Sequence, residues 1–581
     1  MKLLNLNKYF FYLLFFIFFS SANSEESIDI WKKDKTNNLS NNNSDQETPT
    51  EKKENSSINQ KISLNNNIQI NEEIGNQNLD KPLYGIYDPE ESDLNLNMWI
   101  KTDGKEIKDI FKRINQIKLS KSSEEFFIST IMTYSYSPDK NLSEDEFLNL
   151  KISWLISNEK DDLLEEFLNK NKNFKGKKRI IQYLVDKNIS KANLNEGCKK
   201  SEFISKDIKD SYLEKFKIYC LIFKDKKNEA QLVFDILKEQ GLSNKFFDRK
   251  INFLLGINAK PDNTIRDDNL LNFYLSSVTV PNFSYEPSQK TNKFIWEYLN
   301  AANLVKIENF DDKEKIQTLE IAANNNSLNK SKIFQIYRQK SFDLNSLINA
   351  EEIYKSLDGI DSRALIYQKY LLSDKSENKL KLLFLLEELF KKEKLTNLYA
   401  SFLSDELKKF KDEEIPETYK NLVEKNIVTE EEYRLGKIKF NDKILHRSRV
   451  IRYYTEKDTP IQKSQKDFVN VYKKIKKNRK YFFSAKDLAL IESLEADGFE
   501  IPKEIKHKEL AKKYSIPSGL NSLIKDEKIG LLALKFVEII GEDEISDLDP
   551  ETVYFITHLL NKANLLKFRN QVLITALPLR S

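Results

Sequence analysis

The chain has 581 residues, with 94 Lys or Arg against 90 Asp or Glu. A net charge of +4 over this length excludes a globally basic nucleic-acid binder, and 13 glycines leave little room for a glycine-rich catalytic fold. The three histidines, His446, His507 and His558, stand far apart and show no metal-ligand spacing.

The N-terminus reads as an address. Lys2 and Lys8 are followed by eleven apolar residues, Tyr9 to Phe19, and then by small residues before Glu25. This pattern predicts a secretory signal peptide over 1–24, cleaved after Ser24. Eleven helical residues span about 16 Å, short of a bilayer core of about 30 Å. An uncleaved anchor is the alternative. Export places the chain in the periplasm of a Gram-negative envelope or outside the cell, and sets nucleic acid aside as a partner. Residues 25–85 read as a disordered Asn-rich tether: 13 Asn and no aromatic residue lie between Lys32 and Asp80. Such a segment cannot bury enough apolar area to offset its chain entropy.

Beyond it, Phe, Tyr, Leu and Ile return at helical spacing. Pro89 to Asn97 reads as an opening loop, and Trp99, Thr102 and Gly104 as a compact turn before a helix from about Lys105. Phe147 to Ser157 and Leu163 to Asn169 form a predicted pair. Cys198 is expected in a loop after Gly197, and Cys220 late in an amphipathic helix carrying Ile208, Tyr212, Phe216, Tyr219 and Phe223. In an exported chain these two cysteines are expected to bridge; in a reducing compartment they are two buried thiols. Asn228 is expected to cap the next helix, with Gln231 completing a capping box and Gly241 ending it. Ser243 is expected to cap a third, ended by Gly256.

Further helices are predicted over 362–370, 379–391 and 395–409. Ser484 and Asp487 make a capping box for one ended by Gly498, and 529–540 and 550–561 form a closing pair around Gly541. The best strand candidate, Asn272 to Val280, is short. The fold class expected is all-α: an irregular helix-turn-helix solenoid, a TPR-like superhelix, after a disordered N-terminal segment. Unrelated helical domains are the alternative. The arrays are divided as 86–290 with the Cys198–Cys220 bond, 291–440, and 441–581 with a basic patch.

No nucleophile motif or phosphate-binding glycine loop is present, so no enzyme activity and no cofactor or metal is expected. A lysozyme-like domain needs a catalytic Glu in a glycine-rich setting. Glu492-Ser493 and Glu91-Ser92 are the candidate pairs, and neither has one. The strongest electrostatic feature is Lys443 to Lys480, with 13 Lys or Arg against Glu456, Asp458 and Asp467. Its densest part is Lys473, Lys474, Lys476, Lys477, Arg479 and Lys480, followed by Tyr481, Phe482 and Phe483. These six cations are the candidate contacts for an envelope protein or an anionic polymer, with membrane contact only at the surface. A solvated helix face is the alternative.

Trp99-x-x-Thr102-x-Gly104, the Cys198 and Cys220 pair with Ala230 to Gly241, Arg363 to Gln368, and the helix pair after Gly530 resemble pieces of an uncharacterised, exported, all-helical repeat family of alphaproteobacteria. Its members sometimes carry a misapplied antifreeze glycopeptide label. The resemblance implies an envelope location and a helical superhelix, and it brings no catalytic residue. The function expected is an exported non-enzymatic scaffold or adaptor. The alternatives are an envelope polysaccharide or peptidoglycan hydrolase, or a structural spacer.

Overall fold

The computed structural model describes residues 81–171, 174–204, 208–306, 309–427, 438–456, 459–514 and 516–580. The expected signal peptide over 1–24 and residues 25–80 of the expected tether lie outside the described residues. Residues 81–85, which composition assigns to the tether, belong to the fold. Tyr84 bridges Ser135, and the Gly85 N–H donates to Asn171 Oδ1 at 3.4 Å. A Cβ at Gly85 would lie 2.5 Å from Tyr134 N, so only glycine lets these two backbones approach. A composition count averages over a single close approach and misses it.

Helices carry the described chain, which forms the expected all-α, irregular helix-turn-helix solenoid. The strands among the described residues are Ile438–Lys439 and Leu579–Arg580, paired antiparallel. Local sequence sets many helix starts. Ser143 with Glu146, and Ser484 with Asp487, form complete capping boxes. Gly241, Gly256, Gly498 and Gly541 all take positive φ at helix ends, as their positions predict.

What repeats is a turn, not a sequence period. Six helix pairs among the described residues are joined by three residues, the middle one left-handed: Glu159, Ala192, Asp225, Lys394, Glu527 and Asn564. In each, the N–H of the third residue donates to the carbonyl five residues back, at 2.8–2.9 Å; Lys226 to Leu221 and Lys528 to Leu523 are examples. This is a Schellman closure, which satisfies the last carbonyls of one helix as the next begins. None of the six middle residues is glycine, so a search keyed on glycine finds only irregular spacing.

Four local expectations are corrected. Cys198 lies inside helix Leu194–Lys200, not in a loop. Helix Lys227–Glu239 follows directly on the turn around Asp225 and has no side-chain cap, so Asn228 and Gln231 form no capping box. Asn244, not Ser243, caps helix Lys245–Leu254 by accepting from Phe247 N at 2.9 Å. The strand candidate is helix Leu270–Thr279, capped by Asn269 and buried on most of its circumference, which erases the one-sided pattern.

Cys198 and Cys220 are disulfide-bonded, with Cα atoms 5.4 Å apart and 22 residues of separation. The bond ties helix 194–200 to helix Ser211–Phe223. In the chain-entropy model it stabilises the fold by roughly 3 kcal/mol.

Among the described residues the hydrophobic core has two parts. One runs from Trp296 to Val423 and holds the middle helices together. The other joins residues 86–299 with residues 445–577. The first and last arrays, read from sequence as separate, therefore share one core. Helix Ile529–Ile540 packs on both Gly104–Ile114 and Lys121–Met132. The Trp99 indole is fully buried over Gly530 and meets Phe147 edge-on at 5.4 Å. The Gly530 N–H donates to Met98 O at 3.0 Å. Phe126 contacts Phe536 and Phe568, and Ser120 N donates to Gly541 O at 2.9 Å.

One buried charge in this core carries a pH signature. Lys151 is 2% exposed, with its Nζ 4.4 Å above the Phe147 ring. Burial lowers its pKa from 10.5 to about 7. Between those values the unfolded chain holds a proton that the folded chain lacks, so stability rises with pH across this window and the penalty is full below it. Lys151→Met is expected to raise the unfolding free energy at neutral pH by a few kcal/mol, at about 1.4 kcal/mol per pH unit, and to flatten that rise. Thermal unfolding from pH 6 to 10 measures both; an unchanged slope in the variant would refute the assignment.

Candidate functional site

Helix Ile461–Lys476 is amphipathic because Ser464, Phe468, Val471 and Ile475 recur at helical spacing and face the core. Its opposite face and its last turn are left to Lys463, Lys466, Lys473, Lys474 and Lys476. Cations in the last turn also suit the negative end of the helix dipole. That effect accounts for one or two lysines and not for a run continuing through Lys477, Arg479 and Lys480.

The structure places all six expected contact residues at one helix end and the turn after it, and all six are exposed. Two have carboxylate partners. Lys474 Nζ lies 2.7 Å from Asp442, which also takes the Arg449 guanidinium, and Lys476 lies 4.0 Å from Glu504. Arg449 and Lys474 together hold the Asp442 carboxyl well below the usual carboxylate range. Lys473, Lys477, Arg479 and Lys480 have no ion pair among the described residues.

Over the three aromatic residues after the turn, inward and outward side chains alternate. Tyr481 and Phe483 turn inward and meet edge-on at 5.2 Å. The Tyr481 hydroxyl donates to Asp487 at 2.8 Å and accepts from Leu445 N at 2.9 Å. Phe482 between them points out and is 67% exposed. Lys513, from a different part of the chain, stands 6.0 Å from its ring centre. The aromatic triplet thus separates into two anchors and one presented ring. Three adjacent aromatics carry no alternation of their own, so the sequence does not say which ring is presented.

The histidines are brought together in a way their spacing conceals. All three pair with carboxylates of helix Ala485–Ala496: His446 with Asp487 at 2.7 Å, His558 with Glu492 at 2.6 Å and His507 with Glu495 at 2.9 Å. They are packing histidines, each fixing a neighbouring segment to that helix. No group of three His, Cys, Asp or Glu among the described residues could hold a metal ion.

Glu492 also accepts from the Tyr554 hydroxyl at 3.0 Å, and Ser493 Oγ donates to Ala489 O at 2.7 Å. The Glu492-Ser493 pair is therefore spent on helix packing. A groove of about 950 Å³ opens in the middle array, with Phe334, Tyr367, Tyr370 and Phe402 in its wall. Its carboxylates, Asp405 and Glu406, are adjacent on helix Thr396–Leu407, so they diverge by about 100°. Glu406 is held by the Tyr370 hydroxyl at 2.7 Å and by Lys409 at 2.7 Å. Glycoside hydrolysis needs two carboxyl groups facing across the scissile bond, and this groove does not present them. No family model, no curated protein and no solved structure matches the chain.

Proposed function

We propose that the protein is an exported, non-enzymatic helical scaffold that holds an envelope component through the cationic end of helix 461–476. The observation that carries this reading is the set of four exposed cations, Lys473, Lys477, Arg479 and Lys480, without a carboxylate partner among the described residues. Crowding like charges raises the energy of the free surface, and a bound anion relieves it. The disulfide accords with an oxidising compartment. A solenoid needs no catalytic constellation to bind, because its surface is long and its elements are rigid.

Charge reversal at those four positions is expected to cut recovery of crosslinked envelope partners from intact cells by roughly tenfold. The unfolding midpoint is expected to fall only slightly, since none of the four is tied into the core and a charge at a helix end is worth about 0.3–1 kcal/mol. Recovery equal to that of the unaltered protein would remove the patch as the contact.

A further inference from the structure

We propose that residues 473–482 form a docking surface for an anionic lipid bilayer, with Phe482 entering the headgroup layer and the flanking cations holding lipid phosphates. The proposal rests on the reading of this patch as the contact face and names its partner. It is carried by the coincidence of two features. A run of six cations, four of them without a carboxylate partner among the described residues, ends at Lys480, and two residues later a large aromatic ring projects into solvent. A single exposed hydrophobic residue is ordinary on a protein surface. This ring differs in its setting: Arg479 and Lys480 precede it, and Lys513 stands beside it from another segment.

A soluble polyanion would neutralise the cations and leave the Phe482 ring in water. A bilayer surface answers both needs, because negative headgroups lie directly above hydrocarbon. The long lysine stems can lie along the interface with their ammonium groups outward while the ring goes deeper. Tyr481 and Phe483 fix the depth: both are packed into the fold, so the backbone at Phe482 is held while its side chain is presented. Among the described residues no helix is long and apolar enough to cross a membrane, so the contact proposed is with one leaflet only.

The test uses the full chain and sedimentation with vesicles of phosphatidylcholine alone, or of equal parts phosphatidylcholine and phosphatidylglycerol. Binding is expected only to the second kind and is expected to fall with added salt. Phe482→Ala should weaken it by roughly tenfold, and reversal of Lys473, Lys477, Arg479 and Lys480 by a hundredfold or more, on the scale of about fivefold per charge. Phe482→Ala should keep the parent's unfolding midpoint, and the charge reversal should lower it only slightly through the helix end. Equal vesicle binding by Phe482→Ala would overturn the proposal. So would capture of soluble polyphosphate without vesicle binding, or of an acidic protein alone, and either result would leave the scaffold reading standing. Loss of neither vesicles nor crosslinked partners on charge reversal would remove both.

Discussion

Gly530→Val is expected to destabilise the protein by roughly 3 kcal/mol or more, because it forces two sequence-distant ends apart. A Cβ at Gly530 would lie 2.5 Å from Trp99 Cε3, inside any real contact distance. The ring cannot yield. Trp99 has no exposed surface, and it also meets Phe147 edge-on. The backbone cannot yield cheaply either, since the Gly530 N–H is bonded to Met98 O. Calorimetry or chemical unfolding reads the loss. Trp99→Leu with Gly530→Val should recover part of it, as two residues in contact couple. A Gly530→Val protein that melts with the parent would show that the junction is not closed as described.

Glu320→Ala is expected to cost about 3–5 kcal/mol in the middle array. Arg363 is 2% exposed, with Nη2 at 2.7 Å from Glu320 and Nε at 3.0 Å from the Tyr337 hydroxyl. Tyr337 donates in turn to Glu320, and the guanidinium lies 5.4 Å from the Phe390 ring centre. Removing the carboxylate alone leaves a buried cation facing an aromatic wall. Replacing both charges, Glu320→Leu with Arg363→Met, should cost distinctly less than the single change, because the desolvation of both ions disappears with their attraction and only the buried Tyr337 hydroxyl is left without a partner. The comparison of the single and double variants in urea unfolding is the measurement. If the single change is as mild as the double, the triad is not what holds these helices in register.

The chain's own signals placed many of these helices and not their partners. Ser484 with Asp487 was readable because a cap is a local contract between residues three apart. Gly241 and Gly498 were readable because a left-handed position favours glycine. Glu159, Ala192 and Lys394 occupy the same position with residues that seldom take it, so the recurring turn was invisible. The convergence of His446, His507 and His558 on helix Ala485–Ala496 was hidden, since residues so far apart in sequence come to it only in three dimensions. Several pieces that stood out in the sequence proved to be fasteners. Trp99 seats Gly530, Arg363 closes the buried triad, Gln368 donates to the carbonyls of Tyr337 and Lys340, and Cys198 bonds Cys220. Lys473 to Lys480, in contrast, were legible as a charge run and fasten little, which is why they remain the candidate contact. The presentation of Phe482 was not legible, because it depends on which of three adjacent aromatics finds a pocket.

The shared core of the first and last arrays also sets a timetable. Residues 86–299 cannot finish burying their apolar surface until residues 445–577 have left the ribosome, because helix 529–540 fills the space between helices 104–114 and 121–132. Contacts separated by more than four hundred residues form late and slowly. Throughout synthesis the chain is thus an incomplete body with one face open, the condition in which a long polypeptide stays unfolded enough to be threaded, or needs a chaperone to keep it from aggregating. The middle array, with a core of its own, is the part able to fold before the ends have met.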